Sequence, residues 1–280
     1  MNEERLGKGA IPSPIDDRDH QWGIIARGIP SFDWMKGFDV EELYGFKLVT
    51  KDQNGSYSCG GQAWAYYGEV LEFRASLNYE QRSAKFIYAQ TFVPTGGSDG
   101  RTNCKLVKDK GWSLESLCSS YENGNPPSES FMIRVQDITK DAFNSASSVR
   151  AFNYANLTTK TIDEIAQAIS INNGVVIGIY GDNNGTWRSQ FPQFSYIKTW
   201  AHWLYAGKAK MINGKKYIGV KNSWGDDVGD HGWQWIGEEF FPVSIFEVWT
   251  VYYKQDVVSA QLSIIQRIVQ LLLEYFQKKN

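Results

Sequence analysis

The stretch DQNGSYSCGGQAWAYY (52–67) places Cys59, one of only three cysteines, directly ahead of a segment with helical spacing. In residues 60–77, Trp64, Tyr67 and Leu71 recur at intervals of three and four, with Glu69 and Glu72 off that stripe. A cysteine at the start of a helix faces aligned backbone N–H groups that favour thiolate over thiol. With a neighbouring imidazolium, such placement lowers a cysteine pKa from about 8.5 to roughly 3.5–7.5. A thiolate that attacks a carbonyl creates an oxyanion, which needs donors already aimed at it. The Cys59 N–H is one candidate and the side-chain amide of Gln53 is the other. Losing one such donor typically costs about 2.7–4 kcal/mol of transition-state stabilisation. The bland alternative for a lone cysteine is a buried inert thiol; the upstream glutamine and the helix start argue against it.

A cysteine nucleophile needs a proton acceptor, and histidine suits neutral pH best. The chain has three: His20, His202 and His231. His202 lies in the strand-like run TWAHWLYAG (199–207), and KNSWGDDVGDHGWQWI (221–236) follows. His231, in the turn after Asn222-Ser223-Trp224-Gly225, reads as a surface residue, and His20 has no visible partner.

Together these segments resemble the papain-like (C1-type) cysteine peptidases. That family carries a glutamine six positions before its nucleophile, in a D/N-Q-G-x-x-G-S-C segment. Asp52, Gln53, Asn54, Gly55, Ser58 and Cys59 stand in that order here, with Gln53 six positions before Cys59. Asn222, Ser223, Trp224 and Gly225 match the family's Asn-Ser-Trp-Gly in full. The resemblance implies that Cys59, His202, Asn222 and Gln53 are the catalytic group. Asn222 would orient His202, and Trp224 would cover their hydrogen bond. It also implies that the backbone of Gly96 and Gly97, with Trp224, lines the substrate side, although a plain loop turn explains the glycines equally well. The chain departs from the pattern at Gly60, where members often have Trp. It departs at Ser56, where a cysteine is usual, and at Ala201, where Asp or Asn precedes the histidine. An alternative register, aligning Ala63-Trp64-Ala65-Tyr66 with Cys-Trp-Ala-Phe, puts Ala63 at the nucleophile and leaves Gln53 too far away.

One geometric conflict follows from the pattern. Asn213-Gly214 is a strong hairpin turn signal. A regular two-residue turn there sets residue 222 opposite 205 and residue 202 opposite 225. Strict pleating then sends His202 and Asn222 to opposite faces. The arrangement requires a β-bulge, or an Asn222 lying beyond the paired region.

Elsewhere, helices are expected near 80–91, 102–110 and 161–172, and strands at 175–180, 203–207 and 216–221. Residues 1–50 and 111–160 read as mainly loop or extended. The expected fold is α+β, papain-like and two-lobed. A helical lobe spans about 50–125 and an antiparallel, barrel-like β lobe about 130–255, with the cleft between them. Residues 1–256 would form this unit, and 257–280 a separate amphipathic helix. The stripe Leu262, Ile265, Val269, Leu272 and Phe276 suits a packed terminal helix or homo-oligomerisation through 261–280. The scarcity of basic residues before Lys278 disfavours a membrane-surface role.

The bulk numbers set outer bounds. Across 280 residues, 42% are hydrophobic and 21% charged, ordinary for a globular chain. Net charge is −2, so no electrostatic footprint for nucleic acid exists. No secretory signal or membrane span is visible, and the default expectation is cytoplasmic. Three sparse cysteines make no disulfide framework; Cys104 and Cys118 could pair but read better as buried thiols. A glycan on the Asn54 sequon would sit beside Cys59, which argues against a glycosylating pathway. No P-loop, GxGxxG, HExxH or CxxC pair is present, and no cofactor or metal is implied. The implied activity is hydrolysis of peptide bonds in a peptide or protein substrate, as an endopeptidase rather than an exopeptidase. It would run through a Cys-His-Asn triad and a thioester acyl-enzyme. The alternative is a catalytically silent papain-like scaffold that binds peptides or assembles through its C-terminal helix. Only 52 residues precede Gln53, so no full pro-segment is expected.

Overall fold

A computed structural model describes residues 9–26 and 28–253. The tail expected to form an amphipathic helix lies outside the described residues. Helices dominate the first part: α1 (Trp22–Ile25), α2 (Val40–Tyr44), α3 (Cys59–Ser76), α4 (Ala84–Thr91), α5 (Gly100–Asp109), α6 (Glu129–Met132), α7 (Lys140–Ser148) and α8 (Ile162–Asn172). The strands are β1 (Ala10–Ile11), β2 (Phe38–Asp39), β3 (Ser98–Asp99), β4 (Ala151–Asn156), β5 (Val175–Gly181), β6 (Trp200–Ile212), β7 (Lys215–Lys221), β8 (Trp233–Gly237) and β9 (Ile245–Tyr253). The main sheet has the order β4-β9-β5-β6-β7-β8, and β2 pairs with β6. Its pairings are antiparallel.

Successive side chains of the central strands feed two separate cores. Val176, Trp203 and Tyr205 join the cluster built on α3, α4 and α5. Ile177, Leu204 and Ala206 join the cluster built on α8. The period-two alternation of a strand thus places apolar layers on both faces. This burial on both sides is why the strands read as near-continuous apolar runs.

Helix α3 covers the expected segment and is buried well beyond the apolar stripe. Every residue from Cys59 to Leu71 is buried, Glu69 included. Glu69 is paired at 2.7 Å with Lys51, itself 2% exposed. It also accepts hydrogen bonds from Tyr79 Oη and the Arg82 N–H. The polar residue off the stripe marks a buried ion pair rather than a solvent face. Other expected elements begin and end differently. The segment 140–148 folds as α7 although its Asn and Ser residues are weak helix formers; Thr139 caps it, and only Ala142 and Ala146 are buried. Strand β6 extends well beyond 203–207 because β5, β7 and β2 all pair along it. No helix among the described residues is long and apolar enough to cross a membrane.

Removing one partner of a buried ion pair leaves an uncompensated charge, with a typical cost of about 3–5 kcal/mol. Glu69→Gln is therefore expected to lose roughly that much stability in denaturant titrations. A loss below about 1 kcal/mol, the level of an exposed pair, would show that Lys51 finds other compensation.

Candidate active site

The register of the β6–β7 hairpin resolves the facing conflict. Ile212 pairs with Lys215 around Asn213-Gly214, both at positive φ. Up to Lys208↔Gly219 the pairing is regular; then a bulge skips Gly207, so Ala206 faces Val220 and Tyr205 faces Lys221. The extra residue changes the parity of everything beyond it. Strand β7 ends at Lys221, and Asn222 follows on the face shared with His202. Their side chains meet: His202 Nε2 lies 3.0 Å from Asn222 Oδ1.

The tautomer follows from the hydrogen bonds around Asn222. Its Oδ1 also accepts the Ser223 backbone N–H at 2.8 Å, so it is an acceptor there. Asn222 Nδ2 donates to Gln234 Oε1 at 2.7 Å. His202 Nε2 must therefore carry a hydrogen, which leaves Nδ1 with a lone pair in the neutral ring. That Nδ1 is buried and has no hydrogen-bond partner. Trp224 stacks on the ring, with centroids 4.6 Å apart and planes tilted by 31°. Trp200 and Trp187 extend the cover with edge-on contacts.

Cys59 is the first residue of α3. Ser58, in the capping position, makes no side-chain bond to the helix's first N–H groups. The backbone N–H groups of Trp203, Gly60 and Cys59 itself act to lower the thiol's pKa. Trp203 is the residue after His202 and its indole borders Gly60, so the helix start and the histidine strand meet beside Cys59. Gly60 has a steric reason: a Cβ there would lie 2.4 Å from Ser98 Oγ and 2.8 Å from Asn103 Nδ2. The Trp203 indole borders the same spot and donates to Ser98 O at 2.9 Å. Ala63 sits one turn inside the helix and is 2% exposed, which leaves the alternative register without a helix start.

Gln53 is tied to the same assembly. Its backbone N–H donates to Ser223 O at 2.8 Å, and Asp52 bridges Trp224. Ser223 Oγ donates to Gln53 Oε1 at 2.7 Å, and Gln53 Nε2 donates one hydrogen to Ser56 O at 2.8 Å. Ser56 replaces the family's usual cysteine and here closes the turn that holds Gln53, its Oγ donating to Gln53 O. The serine of the Asn-Ser-Trp-Gly run thus holds the glutamine amide, a role that its position in sequence does not announce.

The group is sealed. Cys59, His202 and Asn222 are 0% exposed and Gln53 is 1% exposed. Burial dominates the acid–base character of both titrating groups. It pushes the Cys59 thiol up to about 12, against the opposing N–H groups. It pushes the His202 imidazole down to about 4, against the opposing bond to Asn222. The enclosed resting pair is a neutral thiol and a neutral imidazole. All three cysteines are free and buried. His231 is exposed and contacts Asp226, which raises its pKa.

Gly96 and Gly97 form a turn with φ of +90° and +87°. The edge that the family resemblance assigns to a substrate backbone holds the chain's own N-terminal strap. Strand β1 pairs in parallel with β3, Ala10 against Ser98, and the Ser98 N–H donates to Gly9 O at 2.9 Å. A Cβ on Gly97 would lie 2.2 Å from Gly9 O. Further along, the Ser13 N–H donates to Glu247 Oε2, and Ser13 Oγ meets Asp99 Oδ1. Arg101 clamps the strap through its ion pair with Asp19 and its bond to Pro14 O. Among the described residues, no cluster of His, Cys, Asp or Glu could hold a metal.

Comparison with solved structures gives the architecture a known counterpart. Xylellain, a cysteine protease from Xylella fastidiosa, superposes with a TM-score of 0.69 at 17% identity, over 88% of this chain and 96% of that one. The fold is that of the papain-like cysteine proteases. Digestive procathepsin L2 proteinase from the Tenebrio molitor larval midgut matches with a TM-score of 0.69 at 16% identity, over 89% of this chain and 79% of that one. Procathepsin B S9 from Trypanosoma congolense matches with a TM-score of 0.65 at 13% identity, over 90% and 88%. No family model and no curated protein sequence matches the chain.

Two measurements probe this site. His202 has a folded pKa near 4, below its usual 6.5, so the folded chain binds fewer protons than the unfolded one between those values. Its contribution to stability is complete above pH 6.5 and is lost as the pH falls through 6.5 towards 4. Denaturant midpoints of the parent should therefore fall more steeply over that window than those of His202→Gln; parallel curves would contradict an enclosed neutral imidazole. Gly9 has φ +127°, and a Cβ there would lie 2.1 Å from Tyr57 O, so Gly9→Ala should dislodge the strap. Iodoacetamide should then modify Cys59 faster than in the parent, whereas an unchanged rate would mean that the strap does not govern access to the sulfur.

Proposed function

We propose that the chain is a cysteine peptidase that hydrolyses peptide bonds through Cys59, His202 and Asn222. One observation carries the reading. His202 turns Nε2–H to Asn222 and leaves Nδ1 buried and without a partner among the described residues, on the strand whose next residue, Trp203, borders the first turn of the Cys59 helix. A histidine held in one tautomer, with its other nitrogen carrying a free lone pair, is arranged to take a proton from a thiol brought to it.

The reaction runs in two halves. A peptide displaces the strap along Gly97–Asp99 and Cys59 gives its proton to His202 Nδ1. The thiolate attacks the carbonyl carbon, and the Cys59 N–H and the remaining Gln53 Nε2 hydrogen hold the oxyanion. His202 returns the proton to the leaving amine as the C–N bond breaks. Water, with its proton passing to His202, then cleaves the thioester and restores the thiol. The activity proposed is endopeptidase cleavage, as the family resemblance implies.

An epoxide thiol probe followed by mapping of the modified residue tests the assignment. Labelling should fall on Cys59, disappear in Cys59→Ala and slow in His202→Ala. Modification of Cys104 or Cys118 with Cys59 untouched would end it. An internally quenched peptide blocked at both ends should be cut; cleavage of free-ended peptides alone would instead indicate end trimming.

A further inference from the structure

Gln234 occupies a position that the reaction as described does not use. It lies in β8, beside Val220 of β7, and is 0% exposed. A buried primary amide has two donor hydrogens and an acceptor oxygen to satisfy. Here the whole set is matched. Its Nε2 donates to Trp187 O at 2.7 Å and to Ser189 O at 2.9 Å. Its Oε1 accepts from Asn222 Nδ2 at 2.7 Å.

The orientation of this amide is not a free choice. Backbone carbonyls only accept, so Nε2 must face Trp187 and Ser189, and Oε1 must face Asn222. The same loop is pinned at alternate carbonyls: the Gly229 N–H donates to Arg188 O and the Trp235 N–H to Gln190 O. The loop therefore supplies a rigid reference, and Gln234 transmits it to Asn222. It also fixes Trp187, whose ring packs edge-on against Trp200 and Trp224, beside His202. An apolar residue at 234 would leave the buried Asn222 Nδ2 and two loop carbonyls without these partners.

We infer that Gln234 is a positioning residue for the thiol–imidazole pair: it locks the Asn222 amide against the Trp187–Ser189 loop so that Oδ1 stays on His202 Nε2. The inference rests on the peptidase reading of Cys59 and His202. It goes beyond that reading by adding a residue that acts through Asn222 and touches neither sulfur nor substrate. Without the lock the Asn222 amide rotates away, the His202–Asn222 bond weakens and His202 becomes a poorer base.

The test reads the rate of Cys59 modification by iodoacetamide across pH in the full chain, with folding monitored by circular dichroism. Gln234→Met should lower the rate at neutral pH by roughly tenfold, within the range that coupled neighbours show. The loss should vanish in an Asn222→Ala background, because the effect passes through that amide. Gln234→Glu, which burial favours in its neutral form, keeps an acceptor for Asn222 Nδ2 and one O–H for a loop carbonyl, so its loss should fall between the parent and Gln234→Met. A purely structural residue would lower the reactive fraction without changing the shape of the pH profile, and its loss would add to that of Asn222→Ala. Either result overturns the inference. So does a folded Gln234→Glu chain that loses as much as Gln234→Met, and that variant alone decides the matter if Gln234→Met does not fold. Failure of the underlying reading looks different: the parent's rate would then be unaffected by His202→Ala.

Discussion

The contact between the first turn of α3 and strand β6 governs the rest of the molecule. It joins a helix buried over most of its length to the strand at the middle of the sheet. Both participants need exact placement along their own axes. The helix is anchored by the Lys51–Glu69 pair and by Gly60 and Gly68, whose missing side chains admit Ser98, Asn103 and Trp112. The strand is set by the bulge at Gly207, where a Cβ would strike Tyr205 Oη. One residue more or fewer there would turn Asn222 away from His202, and no side-chain substitution elsewhere could repair that parity.

Enclosure decides the chemistry of the resting site. The helix start and three N–H groups favour a thiolate, and the Asn222 bond favours an imidazolium. Burial opposes both and wins, because neutral donors do not replace the hydration that two separate charges would need. The same low-dielectric pocket strengthens every interaction that forms inside it once charge develops. The cover of Trp187, Trp200 and Trp224 therefore holds the pair neutral at rest and protects the His202–Asn222 bond.

Much of this was legible before any coordinates. The spacing between Gln53 and Cys59 and the Asn-Ser-Trp-Gly run fall on residues that the fold brings together, and the Asn213-Gly214 turn exposed the parity conflict that the bulge answers. What stayed hidden has physical causes. Glu69 fell off the apolar stripe, and a helical wheel reports that spacing but not the distant Lys51 that pairs with it. The helix at 140–148 carries weak formers and is held by a cap and by packing. Gln234 sits in an aromatic strand whose pattern says only "buried"; a glutamine at such a place signals a hydrogen-bond partner, but its partners lie on a loop 45 residues upstream. The pairing of Gly9–Ile11 with β3 is nonlocal and leaves no periodic trace.

That strap has a kinetic consequence. An occupant carried on the same chain meets its groove at a concentration set by the connecting segment rather than by the solution, on the order of millimolar for a short flexible link. Dilution leaves such occupancy untouched. If the proposed peptidase uses this edge for its substrate, a free peptide must outcompete an internal rival of constant strength, so weak binders present at low abundance are screened out. The threshold is then a property of one molecule, the same in a crowded compartment as in a dilute one.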